Sequence, residues 1–215
     1  MLGRHPLLLL VGLGSALALA GCAKNGTVSE SQCTAGDWQT VGYRDGAIGY
    51  RSSRLLAHQD ACVPHGVIPD REAYMLGWQE GIREFCIADN GFEVGRSGRR
   101  HANVCPEDQR EAFLAAYTEG RALHLAEAAV LDLERTIGAK KLRLEQVEVE
   151  IVSSATAQLN PVLTPAARVE LLARTKRLTD EKRDLEAEIP RLERELDVKA
   201  RELERLHSTL AQLRL

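Results

Sequence analysis

The sequence predicts an all-α fold, a small disulfide-linked helical domain followed by a long antiparallel coiled-coil hairpin. Three observations predict it. Leucine, isoleucine and valine recur at heptad spacing through most of the second half, the mark of a coiled coil. Every Phe, Tyr, Trp and Cys lies before Arg121, so the chain divides there by composition. Cys33, Cys62, Cys86 and Cys105 stand in the first half, among small residues spaced four apart as on one helix face.

Residues 1–21 read as a signal peptide. Arg4 supplies a positive start, Leu7 to Ala20 an apolar run, and small residues close it. Such a run is too short to hold a bilayer as a stable span. The stretch Leu19-Ala20-Gly21-Cys22 resembles the lipobox of bacterial lipoproteins. That resemblance implies cleavage before Cys22, a diacylglyceryl thioether on its sulfur, and an acyl chain such as palmitate on the new amine. The alternative is an ordinary signal peptide whose cleavage site abuts a cysteine. Ala23 follows Cys22; in lipoprotein families that sort by this residue, aspartate retains the protein in the inner membrane. The expected place is therefore the outer membrane, facing the periplasm. No second long apolar segment follows, so attachment would rest on the lipid. Residues 22–32 form a tether that spans under roughly 20 Å as a flexible coil.

Lys plus Arg number 28 against 31 Asp plus Glu, a net charge of −3. No basic excess exists to neutralise phosphates, which argues against nucleic acid as a partner.

Residues 33–120 form the cysteine-containing domain. Export places its four cysteines in an oxidising compartment, where two disulfides are the default and three pairings are open. Cys86 and Cys105 flank one glycine-rich stretch (Gly91, Gly95, Gly98), read as a flexible loop that a disulfide could close. Cys105-Pro106 then opens the next helix. Cys33 with Cys62 would follow by elimination, but one continuous helix between them would hold the sulfurs far apart. The chain must bend near Gly49 or fold back between His58 and Pro69.

Three segments echo one another: Gly42-Tyr43-Arg44-Asp45-Gly46, Gly77-Trp78-Gln79-Glu80-Gly81 and Ala116-Tyr117-Thr118-Glu119-Gly120. Trp38, Tyr74 and Phe113 stand upstream of them. Glycine destabilises a helix by about 1 kcal/mol relative to alanine. The paired small residues therefore call for close backbone approach, and three short helices packed together are expected. Asp45, Glu80 and Glu119 hold equivalent places. Repeated surface acids explain them better than a catalytic pair, whose members need unlike environments. His58-x3-Cys62-x2-His65 and His101-x3-Cys105 have spacings zinc could use, but no Cys-x2-Cys occurs and disulfides take the thiols. Histidines beside loop cysteines are expected in solvent. Neither metal nor cofactor is expected. Trp38, Asp45, Trp78 and Glu80 are the candidates for a ligand-facing surface, with core packing the plainer role for the aromatics.

The string Cys33-x3-Asp37-Trp38-x3-Gly42-x2-Asp45-Gly46-x2-Gly49, then His58-x3-Cys62, resembles a family of Gram-negative lipoproteins. Tyr74-x2-Gly77-x3-Gly81-x4-Cys86, Gly91-x3-Gly95-x2-Gly98 and Val104-Cys105-Pro106 continue the likeness. The family is that of domain of unknown function 2799. The resemblance covers about residues 33–121 and implies no activity, substrate or catalytic residue.

Residues 121–215 are the arm. Leu123, Val130, Ile137, Leu144 and Ile151 mark one seam, and Ala126, Leu133 and Val147 the second, with Lys140 the exception. On the return limb Leu171, Leu178, Leu185, Leu192, Leu206 and Leu213 share one position, and Ile189, Leu196, Leu203 and Leu210 the other. Residues 153–165, with Pro161 and Pro165, form the turn, Thr164-Pro165 reading as cap and first helical residue. The outward limb reaches roughly 45 to 50 Å, and the longer return limb runs back toward the cysteine domain. Pro190 is expected to kink it.

The expected function is that of a structural or adaptor protein of the cell envelope. Its coiled coil would contact a protein partner or itself, and the short tether would keep the cysteine domain near the membrane. The alternative is a periplasmic binding module for a cell-wall glycan or small ligand. No catalytic residue is assigned.

Overall fold

The computed structural model describes residues 27–213. Those residues hold helices α1 (Glu30–Ala35), α2 (Trp38–Ile48), α3 (Arg54–Cys62), α4 (Arg71–Phe85), α5 (Ala88–Arg96), α6 (Glu107–Gln158) and α7 (Pro165–Leu213), with a 3₁₀ turn at Val63–His65. They contain no strand. Side chains start several helices. Ser29 and Gln32 form a capping box on α1, and the Asp37 and Asp70 carboxylates accept from Thr40 N and Ala73 N.

Glycine sets the packing of the first half. A Cβ on Gly42 or Gly46 would overlap the Tyr74 or Trp78 carbonyl, and one on Gly77 or Gly81 the Gln39 or Tyr43 carbonyl. The contacts advance in step along both chains, so α2 and α4 run parallel with their backbones touching. Gly49, at φ 84, caps α2 in the left-handed region and turns the chain so that α3 can return. Of the two routes open to Cys33 and Cys62, the bend at Gly49 is the one taken. The disulfides join Cys33 to Cys62 and Cys86 to Cys105, with Cα separations of 5.6 and 5.5 Å.

Four expectations about this half need correction. Gly91 and Gly95 are not a loop: they lie in α5, where a Cβ on either would overlap the Phe113 or Tyr117 carbonyl of α6. The three echoed segments do not pack as a trio, because the third pairs with α5 instead. Thr27 and Val28, placed in the tether, already belong to the fold: Val28 is buried in the core with Cys33, Trp38 and Tyr74. The division at 120/121 falls inside α6, which runs unbroken from the base into the arm.

The arm is an antiparallel pair of helices of 52 and 49 residues. Ile137, Val147, Leu178, Leu185, Ile189 and Leu210 are buried between or beneath its limbs. The turn is tighter than expected, since α6 persists to Gln158 before α7 starts at Pro165. Thr164 Oγ1 accepts from Ala167 N at 3.2 Å and caps α7. Pro190 sits exposed within α7, and the helix continues through it. The return limb reaches the base, where Leu210, Leu203 and Leu206 pack with Leu123 and with Phe92 of α5.

Candidate functional site

The cysteine domain is built from one device used twice. Gly42-x3-Gly46-x2-Gly49 in α2 corresponds to Gly91-x3-Gly95-x2-Gly98 in and after α5. Tyr74, Gly77, Gly81 and Phe85 of α4 correspond at equal spacing to Phe113, Ala116, Gly120 and His124 of α6. Contacts follow the spacing. The Phe85 ring lies under left-handed Gly49 and the His124 ring under left-handed Gly98. Gly120 abuts the Phe92 carbonyl as Gly81 abuts that of Tyr43. The predicted small residues Gly42, Gly46, Gly77, Gly81, Ala116 and Gly120 all fall on the two parallel contacts, and the unpredicted Gly91 and Gly95 complete the second.

The units differ at one place that bears charge. Asp45 and Tyr74 of the first correspond to Val94 and Phe113 of the second. Asp45 is 7% exposed. His58 Nε2 donates to its Oδ2 at 2.7 Å, Tyr74 donates to the same oxygen at 2.8 Å, and Arg54 Nε lies 3.2 Å from Oδ1. The other ring nitrogen, Nδ1, is hydrogen-bonded to the Thr27 hydroxyl, 2.6 Å away. Burial first, then the bond to Asp45, raises the Tyr74 phenol above its ordinary range, so it stays a donor. Arg54 also stacks on Tyr50, 4.1 Å from the ring centre.

This arrangement corrects three expectations. Asp45 and Trp38 are buried and present nothing to a ligand, and His58, 1% exposed, is not in solvent. Asp45, Glu80 and Glu119 share a spacing but not an environment, because α3 brings His58 and Arg54 only to Asp45. Hydroxyl, imidazole and carboxylate stand in the order of a nucleophilic relay. Here the cluster ties half-buried Thr27, the first described residue, to α3 and through Asp45 to α2. The signal that could have revealed it is the polar Asp45/Tyr74 pair against the apolar Val94/Phe113 pair.

The remaining candidates lie apart. Glu80 borders a depression with Asp37, Gln39, Thr40 and Tyr43, whose hydroxyl donates to Glu84 at 2.6 Å. Trp78 borders another with Arg51, Ser52 and Asn103, and its indole N–H donates to the Tyr50 carbonyl at 2.8 Å. His101 packs edge-on against Phe113 and Tyr117. The four cysteine sulfurs are bonded to each other, and among the described residues no three His, Cys, Asp or Glu side chains group to hold a metal ion. Cys22 and the signal segment lie outside the described residues. Among the described residues no helix is long and apolar enough to cross a membrane.

Ion pairs flank the apolar seam and bridge the two limbs of the arm. Lys140 pairs with Glu188, Arg143 with Glu181, Lys182 with Glu148, and Arg174 with Glu150, at 2.7 to 3.1 Å. Lys140, the polar intruder in the seam, thus meets an acid on the opposite limb. Lys199 pairs with Glu202 on its own helix.

Residues 37–122 match the family model described as Protein of unknown function (DUF2799). The match begins at the cap of α2, takes in both glycine units, and stops at the root of the arm. No curated protein and no solved structure matches the chain.

Proposed function

We propose that this chain is a lipid-anchored structural or adaptor protein of the cell envelope of a Gram-negative bacterium, held at Cys22 and facing the periplasm, with the outer membrane its place. The observation that carries the reading is the arm. Two helices of 52 and 49 residues stand on a base that needs only the first turns of α6 to complete its second glycine unit. Residues 125–158 of α6 lie beyond that unit and extend about 50 Å at 1.5 Å per residue, a length that serves reach and contact rather than the stability of the base. The disulfides stiffen the base, and the Asp45 cluster fixes the chain at Thr27, five residues after Cys22.

The alternative of a glycan- or ligand-binding base has less support, because Trp38 and Asp45 are buried. No enzymatic activity is proposed.

Fatty-acid labelling tests the anchor. Wild-type chain should carry the label and sediment with membranes, and Cys22→Ser should lose both. A labelled Cys22→Ser variant would contradict lipidation at this residue.

A further inference from the structure

In this fold a glycine inside a helix means that another helix lies against it. The rule holds at Gly42, Gly46, Gly77, Gly81, Gly91, Gly95 and Gly120. Gly138 breaks it: nothing lies within 4 Å of where its Cβ would be. Glycine there weakens α6 relative to alanine, and nothing among the described residues returns a contact for it.

Gly138 sits on a second heptad stripe of α6, from Ala128 to Val152, stepping alternately by three and four residues. The stripe faces away from α7, about 150° around the helix from the buried seam. Its apolar members are open to solvent, Leu131 by 48%, Leu142 by 57%, Val149 by 70% and Val152 by 65%. Its charged members, Arg135 and Glu145, form no ion pair within the chain among the described residues.

We propose that this stripe is the contact between two copies of the chain, packed antiparallel about a two-fold axis beside Lys140. In that register every layer is complementary. Leu142 of each copy covers Gly138 of the other, Val152 covers Ala128, Leu131 meets Val149, and Arg135 pairs with Glu145. The pattern is that of an antiparallel coiled coil, in which the two seam positions alternate across the interface. A parallel register would set Arg135 on Arg135 and Glu145 on Glu145, and would leave Gly138 facing its own vacancy. The stripe is self-complementary in one direction only, which is what an isologous dimer requires.

The inference rests on the arm being a contact element and names its partner. The two failures are separable: a monomeric chain overturns the second copy as partner, whereas crosslinking in cells decides whether the arm contacts anything.

The test uses the purified chain carrying Cys22→Ser, so that an added cysteine is the free thiol. Leu131→Cys and Val149→Cys chains, mixed and oxidised, should give a crosslinked dimer, and neither should do so alone, because each thiol lies about 27 Å from its own copy. Self-crosslinking of either chain alone overturns the antiparallel register. A chain that sediments as a monomer at 100-micromolar order overturns the dimer. Leu142→Asp, at a side chain exposed in the single chain, should weaken the dimer at least tenfold with unchanged helix content. Arg135→Glu and Glu145→Arg should each weaken it, and together restore it. Additive losses in the double variant contradict the assigned pairing.

Discussion

Asp45 and Tyr74 stand in the first glycine unit where Val94 and Phe113 stand in the second, so the packing alone does not demand a charge. Removing the carboxylate leaves His58 and Tyr74 without their acceptor and Arg54 without its counter-charge. Asp45→Ala should therefore lower stability by about 3 kcal/mol or more in urea unfolding. Asp45→Val with Tyr74→Phe, which copies the second unit, should recover part of that loss; equal losses in both would contradict the equivalence. The glycines divide just as sharply. Gly81→Ala drives a methyl group into the Tyr43 carbonyl and should destabilise by about 1 to 3 kcal/mol. Gly138→Ala meets open space and, in the Leu142→Asp background, should stabilise the helix by about 1 kcal/mol. The glycine stripes were legible because their spacing alone specifies a face. The burial of Asp45 was not, since it depends on side chains that α3 brings from elsewhere in the chain.

Among the elements, α5 was hidden by its composition. Three glycines over eight residues read as a loop unless they are set beside Gly42, Gly46 and Gly49, whose spacing they copy. The two limbs of the hairpin were legible because heptads name both the helix and the face it buries. The turn was misjudged, since serine and threonine at 153–156 still permit helix, and only Asn160 and Pro161 end it. The Cys86–Cys105 disulfide ties the end of α4 to the start of α6 across a sequence separation of 19 residues that contains α5. Replacing both by serine should cost about 3 kcal/mol, measured as a shift in the unfolding midpoint. Near the tip, hydrogen bonds from Arg174 and then Arg143 hold the Glu150 carboxyl below its ordinary range, and Arg143 does the same for Glu181. A lowered folded pKa stabilises above the unfolded value and is lost as pH falls through the folded one. Acid should therefore loosen the arm near its tip, modestly because these groups are exposed. Hydrogen exchange at residues 143–181 should rise below the usual carboxylate range, and an arm indifferent to acid would contradict those pairings.

At the scale of the whole molecule, the base and the arm are one continuous body, joined through α6. The glycine spacings and the heptads are local patterns, whereas a partner is written in no single stretch. Geometry still constrains it. In the antiparallel dimer the two α6 starts lie about 100 Å apart, so paired arms lie along one surface or reach between facing ones. Removing one heptad from each limb, residues 144–150 and 175–181, keeps both seams in phase and withdraws the tip by about 10 Å. The shortened chain, which also loses Glu145 and Val149 of the outward stripe, should fold with unchanged base disulfides yet lose function in cells; full function would mean that neither reach nor that stripe is needed. The claim that the arm makes the contacts is tested most directly by photo-crosslinking in living cells, with probes at Gln158 and Leu163 of the tip, Leu142 of the outward stripe, and Trp78 and Glu80 of the base. The account predicts a discrete crosslinked product from the arm and none from the base. Products from Trp78 or Glu80 with a silent arm would contradict it and move the function to the cysteine domain.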